Sequence, residues 1–84
     1  MKNCILTFRS VTPAQRAEDY LRRAGVTCTI QRTPKWMEEK GCGYCLRVRW
    51  YHGDRAIAAL RERGVSYGKV YTLESDGIPR EYLP

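Results

Sequence analysis

Leu21-Arg22-Arg23-Ala24-Gly25-Val26-Thr27 has a counterpart downstream in Leu60-Arg61-Glu62-Arg63-Gly64-Val65-Ser66. Each begins on leucine, runs through charged residues to a glycine, and continues into valine. A glycine just past the last apolar residue of a helical pattern is a stop signal, because it takes the left-handed conformation without a Cβ clash. Valine then favours a strand. Two such junctions in one chain imply two similar halves, each a strand, a helix and a strand.

The flanking residues fill in those halves. Cys4 to Phe8 reads as a first strand, ended by Arg9-Ser10. Thr12-Pro13-Ala14-Gln15 supplies a helix start, with Thr12 as N-cap, Pro13 in the first turn and Gln15 closing a capping box. Ala14, Ala17, Leu21 and Ala24 recur at helical spacing, and the pairs Glu18/Arg22 and Asp19/Arg23 suit an exposed helix face. Val26 to Gln31 alternates as a half-buried strand. A loop with Pro34 and the run Glu38-Glu39-Lys40 follows, from Arg32 to Gly41.

Gly43 to Tyr51 reads as the third strand. Tyr44, Leu46, Val48 and Trp50 point one way, and Cys45, Arg47, Arg49 and Tyr51 the other. Asp54 is expected to cap a second helix carrying Ile57, Ala58 and Leu60. Tyr67 to Leu73 reads as the last strand, and residues 74–84 as an irregular C-terminal tail. The predicted class is therefore α+β: a ferredoxin-like β-α-β-β-α-β sandwich over residues 1–73, with an antiparallel sheet and two helices on one face.

Composition excludes several alternatives. Eighty-four residues leave room for one domain, and 43% apolar with 29% charged residues is ordinary globular usage rather than a disordered or fibrous chain. A chain this short buries roughly 60–65% of its unfolded surface, which leaves a thin core and little space for a deep cofactor cavity. No apolar run approaches a membrane span, and the segment after Met1-Lys2-Asn3 is too short for a secretory signal. The expected location is cytoplasmic, with no membrane partner.

In that compartment the four cysteines, Cys4, Cys28, Cys42 and Cys45, are thiols. Only Cys42 and Cys45 are close in sequence, and a structural zinc site needs four ligands, so no metal and no cofactor are expected. The lone histidine, His52, precedes Gly53-Asp54 in a turn and reads as a solvated loop residue. Cys4 and Cys28 carry core parity in their strands. Cys45 falls on the face opposite Cys42, which opposes an easy disulfide between them, although a bend at Gly43 would permit one.

Topology makes Cys42 the candidate site. In the predicted fold the third strand starts at the end of the sheet where the first strand stops and the first helix begins. Cys42 shares the parity of Leu46 and Val48 and is expected beside the turn of Ser10 to Pro13. A helix N-terminus stabilises an anion, and Arg9, Arg32 and Lys40 add positive potential, so a thiolate is favoured there. Gly41 and Gly43 free the sulfur from flanking side chains, allowing unusual backbone angles and close approach by a partner.

Three stretches carry a family resemblance: Leu6-Thr7-Phe8-Arg9-Ser10 followed by Ala14, Ala17 and Glu18; Leu21 with Ala24-Gly25-Val26; and Thr33-Pro34 followed by Gly41-Cys42-Gly43 and Leu46-Arg47. On these residues the chain resembles a small bacterial family of selenium/sulfur carrier-like proteins, over about Ile5 to Tyr71. The resemblance implies that Cys42 accepts sulfur or selenium as a persulfide or selenosulfide and passes it on. It also implies supporting roles for Thr33 and Pro34 beside Arg9, Ser10, Thr12, Gly41 and Gly43. A donor such as a cysteine desulfurase and an acceptor protein are the implied partners. Two places depart from the family pattern: Glu39-Lys40 stand where small residues commonly precede Gly-Cys-Gly, and Cys45 is a possible second thiol where a small residue is usual.

The net charge of +6 and the aromatic content also raise RNA binding. Lys40-Gly41-Cys42-Gly43-Tyr44-Cys45 partly resembles a ribonucleoprotein motif. Against this, Cys42 and Arg47 replace stacking aromatics, and Tyr44 has buried parity. Arg47, Arg49 and Tyr51 remain as an open-face patch for an acidic partner. The preferred reading is a chalcogen carrier rather than a turnover enzyme, with a non-catalytic adaptor as the other alternative.

Overall fold

The computed structural model describes residues 2–33 and 43–82. The elements are β1 (Asn3–Phe8), α1 (Val11–Arg23), β2 (Cys28–Arg32), β3 (Tyr44–Arg49), a 3-10 turn (Trp50–His52), α2 (Gly53–Glu62), β4 (Val70–Leu73) and β5 (Pro79–Glu81). The strands form one sheet in the order β2-β3-β1-β4-β5, every neighbouring pair antiparallel. The class is α+β, as expected. No described helix is long and apolar enough to cross a membrane.

Strand alternation sorts the side chains. Cys4, Leu6 and Phe8 of β1, Leu46 and Val48 of β3, and Val70 of β4 share one face and pack with Ala14, Ala17 and Leu21 of α1 and Ala56, Ile57 and Leu60 of α2. Both helices therefore cover the same face. The alanines matter sterically: Ala14 and Ala17 are fully buried, so α1 lies close on the strands. On the other face Ile5 and Cys45 form a smaller buried pair, with Tyr71 and Leu73 against it.

The repeated segments are two copies of one helix stop. After α1, the N–H of Gly25 donates to Arg22 O at 3.0 Å and that of Val26 to Leu21 O at 2.8 Å. After α2, Gly64 donates to Arg61 O at 3.2 Å and Val65 to Leu60 O at 3.0 Å. Gly25 and Gly64 have φ of +80° and +68°. These are the paired bonds of a Schellman cap, with the leucine and valine of each copy buried in the core.

The helix starts differ from expectation. Ser10, not Thr12, is the N-cap residue of α1, and it makes no side-chain cap bond. Thr12 is thus already inside the first turn and Pro13 one place further on, so no capping box forms. For α2 the cap position falls to His52, and Asp54 lies in the first turn, where its charge suits the helix dipole. The third strand stops at Arg49, and Trp50, Tyr51 and His52 form the 3-10 turn instead.

Residues 74–84, expected to be an irregular tail, contain β5, and the sheet gains a fifth strand. Tyr71 pairs with Glu81, Thr72 with Arg80 and Leu73 with Pro79. An Asp76-Gly77 turn brings the chain back: Gly77 takes φ +76°, and the Asp76 carboxylate accepts from Ile78 N and Arg80 Nη2, both at 3.0 Å. Beyond β5 the Tyr82 N–H donates to Val70 O at 2.7 Å. Its hydroxyl donates to Asp54 Oδ1 at 2.7 Å, and its ring meets Trp50 edge-on.

Candidate functional site

The expected site lies where β1 ends and β3 begins. Antiparallel pairing puts Phe8 opposite Tyr44 on one side and Arg32 opposite Tyr44 on the other. The Thr33 N–H donates to Gly43 O at 3.1 Å, continuing the β2–β3 ladder by one residue. From Phe8 the chain passes through exposed Arg9 and Ser10 straight into α1. The start of β3, the end of β2 and the N-terminus of α1 thus share one end of the sheet.

That end is electropositive for two reasons. The first amides of a helix carry partial positive charge, and α1 has neither a side-chain bond from its cap residue nor an acidic residue in its first turn to offset it. Arg32 adds a guanidinium 5.3 Å from the centre of the Tyr44 ring. Arg9, Ser10 and Thr12 are all exposed at the strand-to-helix turn. Gly43 is half-buried, and a Cβ added there would meet no described residue within 4 Å. Close approach is therefore open at Gly43, but the unusual backbone angle expected of it is absent, since its φ is not positive.

Thr33 is buried, and its Oγ1 completes no hydrogen bond among the described residues. With Gln31 it bears on the Cys45 thiol instead. Pro34, Lys40, Gly41 and Cys42 lie outside the described residues, and with them the expected position of the Cys42 sulfur and any pairing with Cys45.

The other three thiols have defined surroundings. Cys4 is sealed on the helix-facing side, where burial, aided by the Asp54 charge, pushes its pKa up to about 11. Burial also raises Cys28, and Glu18 adds to that while Arg22 opposes it; its Sγ sits 3.9 Å from the Glu18 carbonyl. Cys45 lies on the opposite face from Tyr44 and Leu46, as its parity predicts. Burial raises it as well, against the downward pull of Thr33, Gln31 and Arg47. All three are neutral thiols near pH 7, and none is a ready nucleophile.

Tyr44 packs against the helix-side core, so its ring is not offered on the open face. Tyr51 has left the strand for the 3-10 turn, and its ring meets that of His52 in a tilted contact with centres 4.4 Å apart. On the open face Arg47 and Arg49 remain on β3, while Tyr51 is no longer a strand residue. The neighbours of these arginines, Asn3, Thr27 and Thr29, escape sequence reading, because cross-strand partners follow from register and not from spacing. No cluster of three or more metal-ligating side chains occurs among the described residues.

No curated protein and no solved structure matches the chain. A family description does: "Putative Se/S carrier protein-like", over residues 3–72, which takes in β1 through most of β4 and the position of Cys42. With 70 of its 84 residues matched, the chain belongs to the Se/S carrier protein-like family.

Proposed function

We propose that the protein carries sulfur or selenium on Cys42, as a persulfide or selenosulfide, and delivers it to an acceptor protein. The observation that carries this reading is family membership across the segment holding Gly41-Cys42-Gly43. Two features support it. The three described thiols are buried and held neutral, which leaves Cys42 as the remaining candidate. The strand after Gly43 starts at the sheet end where α1 presents its amides, with Arg9 and Arg32 nearby.

The step needs no net oxidant. The Cys42 thiolate attacks the terminal sulfur of a donor persulfide, such as that of a cysteine desulfurase. One S–S bond forms on Cys42 as the donor's breaks, and the donor leaves as a thiolate. Delivery repeats the exchange with an acceptor thiolate. Positive potential from the first amides of α1, Arg9 and Arg32 favours an anion at this end of the sheet, as a Cys42 thiolate and its persulfide require. We also read the first four strands with their two helices as a ferredoxin-like unit extended by β5, working in the cytoplasm.

Intact mass after incubation with a cysteine desulfurase and cysteine, or with the desulfurase and selenocysteine, tests the proposal. The wild-type protein gains one chalcogen atom, and Cys42→Ser gains none while its circular dichroism is unchanged. Uptake on Cys45 overturns the assignment to Cys42, and no uptake overturns carriage itself in favour of a non-covalent adaptor. The arrangement of Tyr44 disfavours RNA stacking on β3, since the ring belongs to the helix-side core.

A further inference from the structure

On the helix-free face, at the edge formed by β2, lies a concavity of about 310 Å³ lined by Asn3, Thr27, Cys28, Thr29, Arg47 and Arg49. We infer that this concavity is a binding site for the phosphate group of a small phosphorylated ligand, held between Arg47 and Arg49. The inference does not depend on the carrier reading.

Register builds it. Arg47 and Arg49 alternate along β3 and so project from the same face, with Cα atoms about 7 Å apart. Asn3 of β1 lies directly opposite Arg49, and Thr29 of β2 directly opposite Arg47. Thr27 is one pleat further along the same side of β2. Three adjacent strands and the residue before β2 thus bring two guanidiniums, two hydroxyls and one carboxamide to one hollow, and none of the described lining residues is acidic.

That donor set selects the ligand. Guanidinium forks pair with phosphate oxygens through parallel charge-assisted bonds, and two forks on either side of a tetrahedral dianion satisfy several of its acceptors. Threonine hydroxyls and an asparagine amide suit the remaining oxygens. Neither arginine has to be idle: Arg47 already donates to Gln31 Oε1 at 3.2 Å, and Arg49 has an interaction of its own. A guanidinium has donors to spare. The volume is at the small end of ligand sites, enough for a phosphate head and a short substituent. No aromatic ring is among the described residues that line the hollow, and these offer no stacking platform of the kind single-stranded nucleic acid requires.

Calorimetry and amide NMR with inorganic phosphate and phenyl phosphate test the inference on the full chain. A saturable single site is expected, with the largest amide shifts at Asn3, Thr29, Arg47 and Arg49. Affinity for phenyl phosphate rises as pH passes about 6, where a phosphate monoester gains its second charge and the arginines do not titrate. Arg47→Gln and Arg49→Gln each weaken binding about tenfold or more, and Arg47→Lys gives an intermediate loss. Cys42→Ser leaves binding intact, and so does Arg61→Gln, which removes one positive charge from α2. Equal weakening by Arg61→Gln, or shifts spread over every basic residue, would show diffuse charge attraction and overturn the site. Oligonucleotide binding that tightens with length and exceeds phenyl phosphate would also overturn it, in favour of a nucleic-acid face.

Discussion

Phe8 stands directly opposite Tyr44 in the antiparallel pairing of β1 and β3. This one register pair ties the strand that follows Gly41-Cys42-Gly43 to the turn that opens α1. It also fixes parity, since Tyr44 joins Phe8 on the helix side and Cys45 is sent to the other face. Cys45 is thereby buried beside Ile5, away from the helix-side core.

Thiol reactivity should therefore separate cleanly. Cys4 is held near 11 and Cys28 and Cys45 are raised, so each is almost wholly protonated at pH 7.5. Iodoacetamide at that pH is expected to label Cys42 in the native protein within minutes. The other three label only after denaturation. Peptide mapping of briefly treated protein checks this, and rapid native labelling at Cys45 would contradict the assignment.

The buried Cys4 thiol makes stability fall at alkaline pH. Its pKa is about 11 folded against 9.0 for the free thiol, so the folded state resists deprotonation. The stabilisation is complete below about pH 9 and disappears as pH rises to about 11, amounting to roughly 2–3 kcal/mol at most. Urea melts from pH 8 to 11 should show a steeper decline for wild type than for Cys4→Ala. Cys4→Ala is less stable at pH 8 because it leaves a cavity, but that deficit narrows with pH. Parallel pH curves for the two proteins would refute the claim.

Much of this arrangement is written in local sequence, and the exceptions share a cause. The alternation from Tyr44 to Arg49 predicts which face each residue takes, and the twin leucine-to-glycine segments predict both helix stops. Helix starts are harder to read. Thr12 and Asp54 look like caps by composition, yet the chain enters each helix earlier, after Ser10 and His52. The last strand is shorter than its pattern, because only Val70 to Leu73 keep regular pairing. β5 has no apolar period at all. It is held by ladder bonds to β4 and by Tyr82, which reaches residues far away in sequence. The hollow between Arg47 and Arg49 is likewise a product of register.

The two glycine stops predict matched penalties. An alanine at Gly25 or Gly64 must take a positive φ, at a cost of about 1 kcal/mol. At Gly64 a Cβ would meet nothing within 4 Å, and at Gly25 the nearest atom is Arg55 Nη2 at 4.0 Å, so steric conflict adds little. Gly25→Ala and Gly64→Ala should each lower Tm by roughly 4–8 °C for a domain of this size. Gly43→Ala, where φ is not positive and space is open, should change Tm little. A large loss at Gly43 with none at Gly64 would invert the interpretation.

Tyr82 tests whether the chain end belongs to the fold. Its hydroxyl donates to Asp54 Oδ1 at 2.7 Å, and its ring centre lies 5.1 Å from that of Trp50 in an edge-to-face contact. Trp50 also receives Lys2 over its ring at 4.0 Å, so the three side chains join the start of β1, the 3-10 turn and the chain beyond β5. Tyr82→Phe removes only the hydrogen bond to Asp54 and should lower Tm slightly. Tyr82→Ala also removes the ring contact with Trp50 and should lower Tm further, an aromatic pair being worth ~0.5–1.5 kcal/mol. The order wild type, Tyr82→Phe, Tyr82→Ala in thermal melts follows if β5 is docked through this residue. If Tyr82→Ala melts with wild type, the segment after β4 adds nothing to the domain, and its pairing with β4 is incidental to stability.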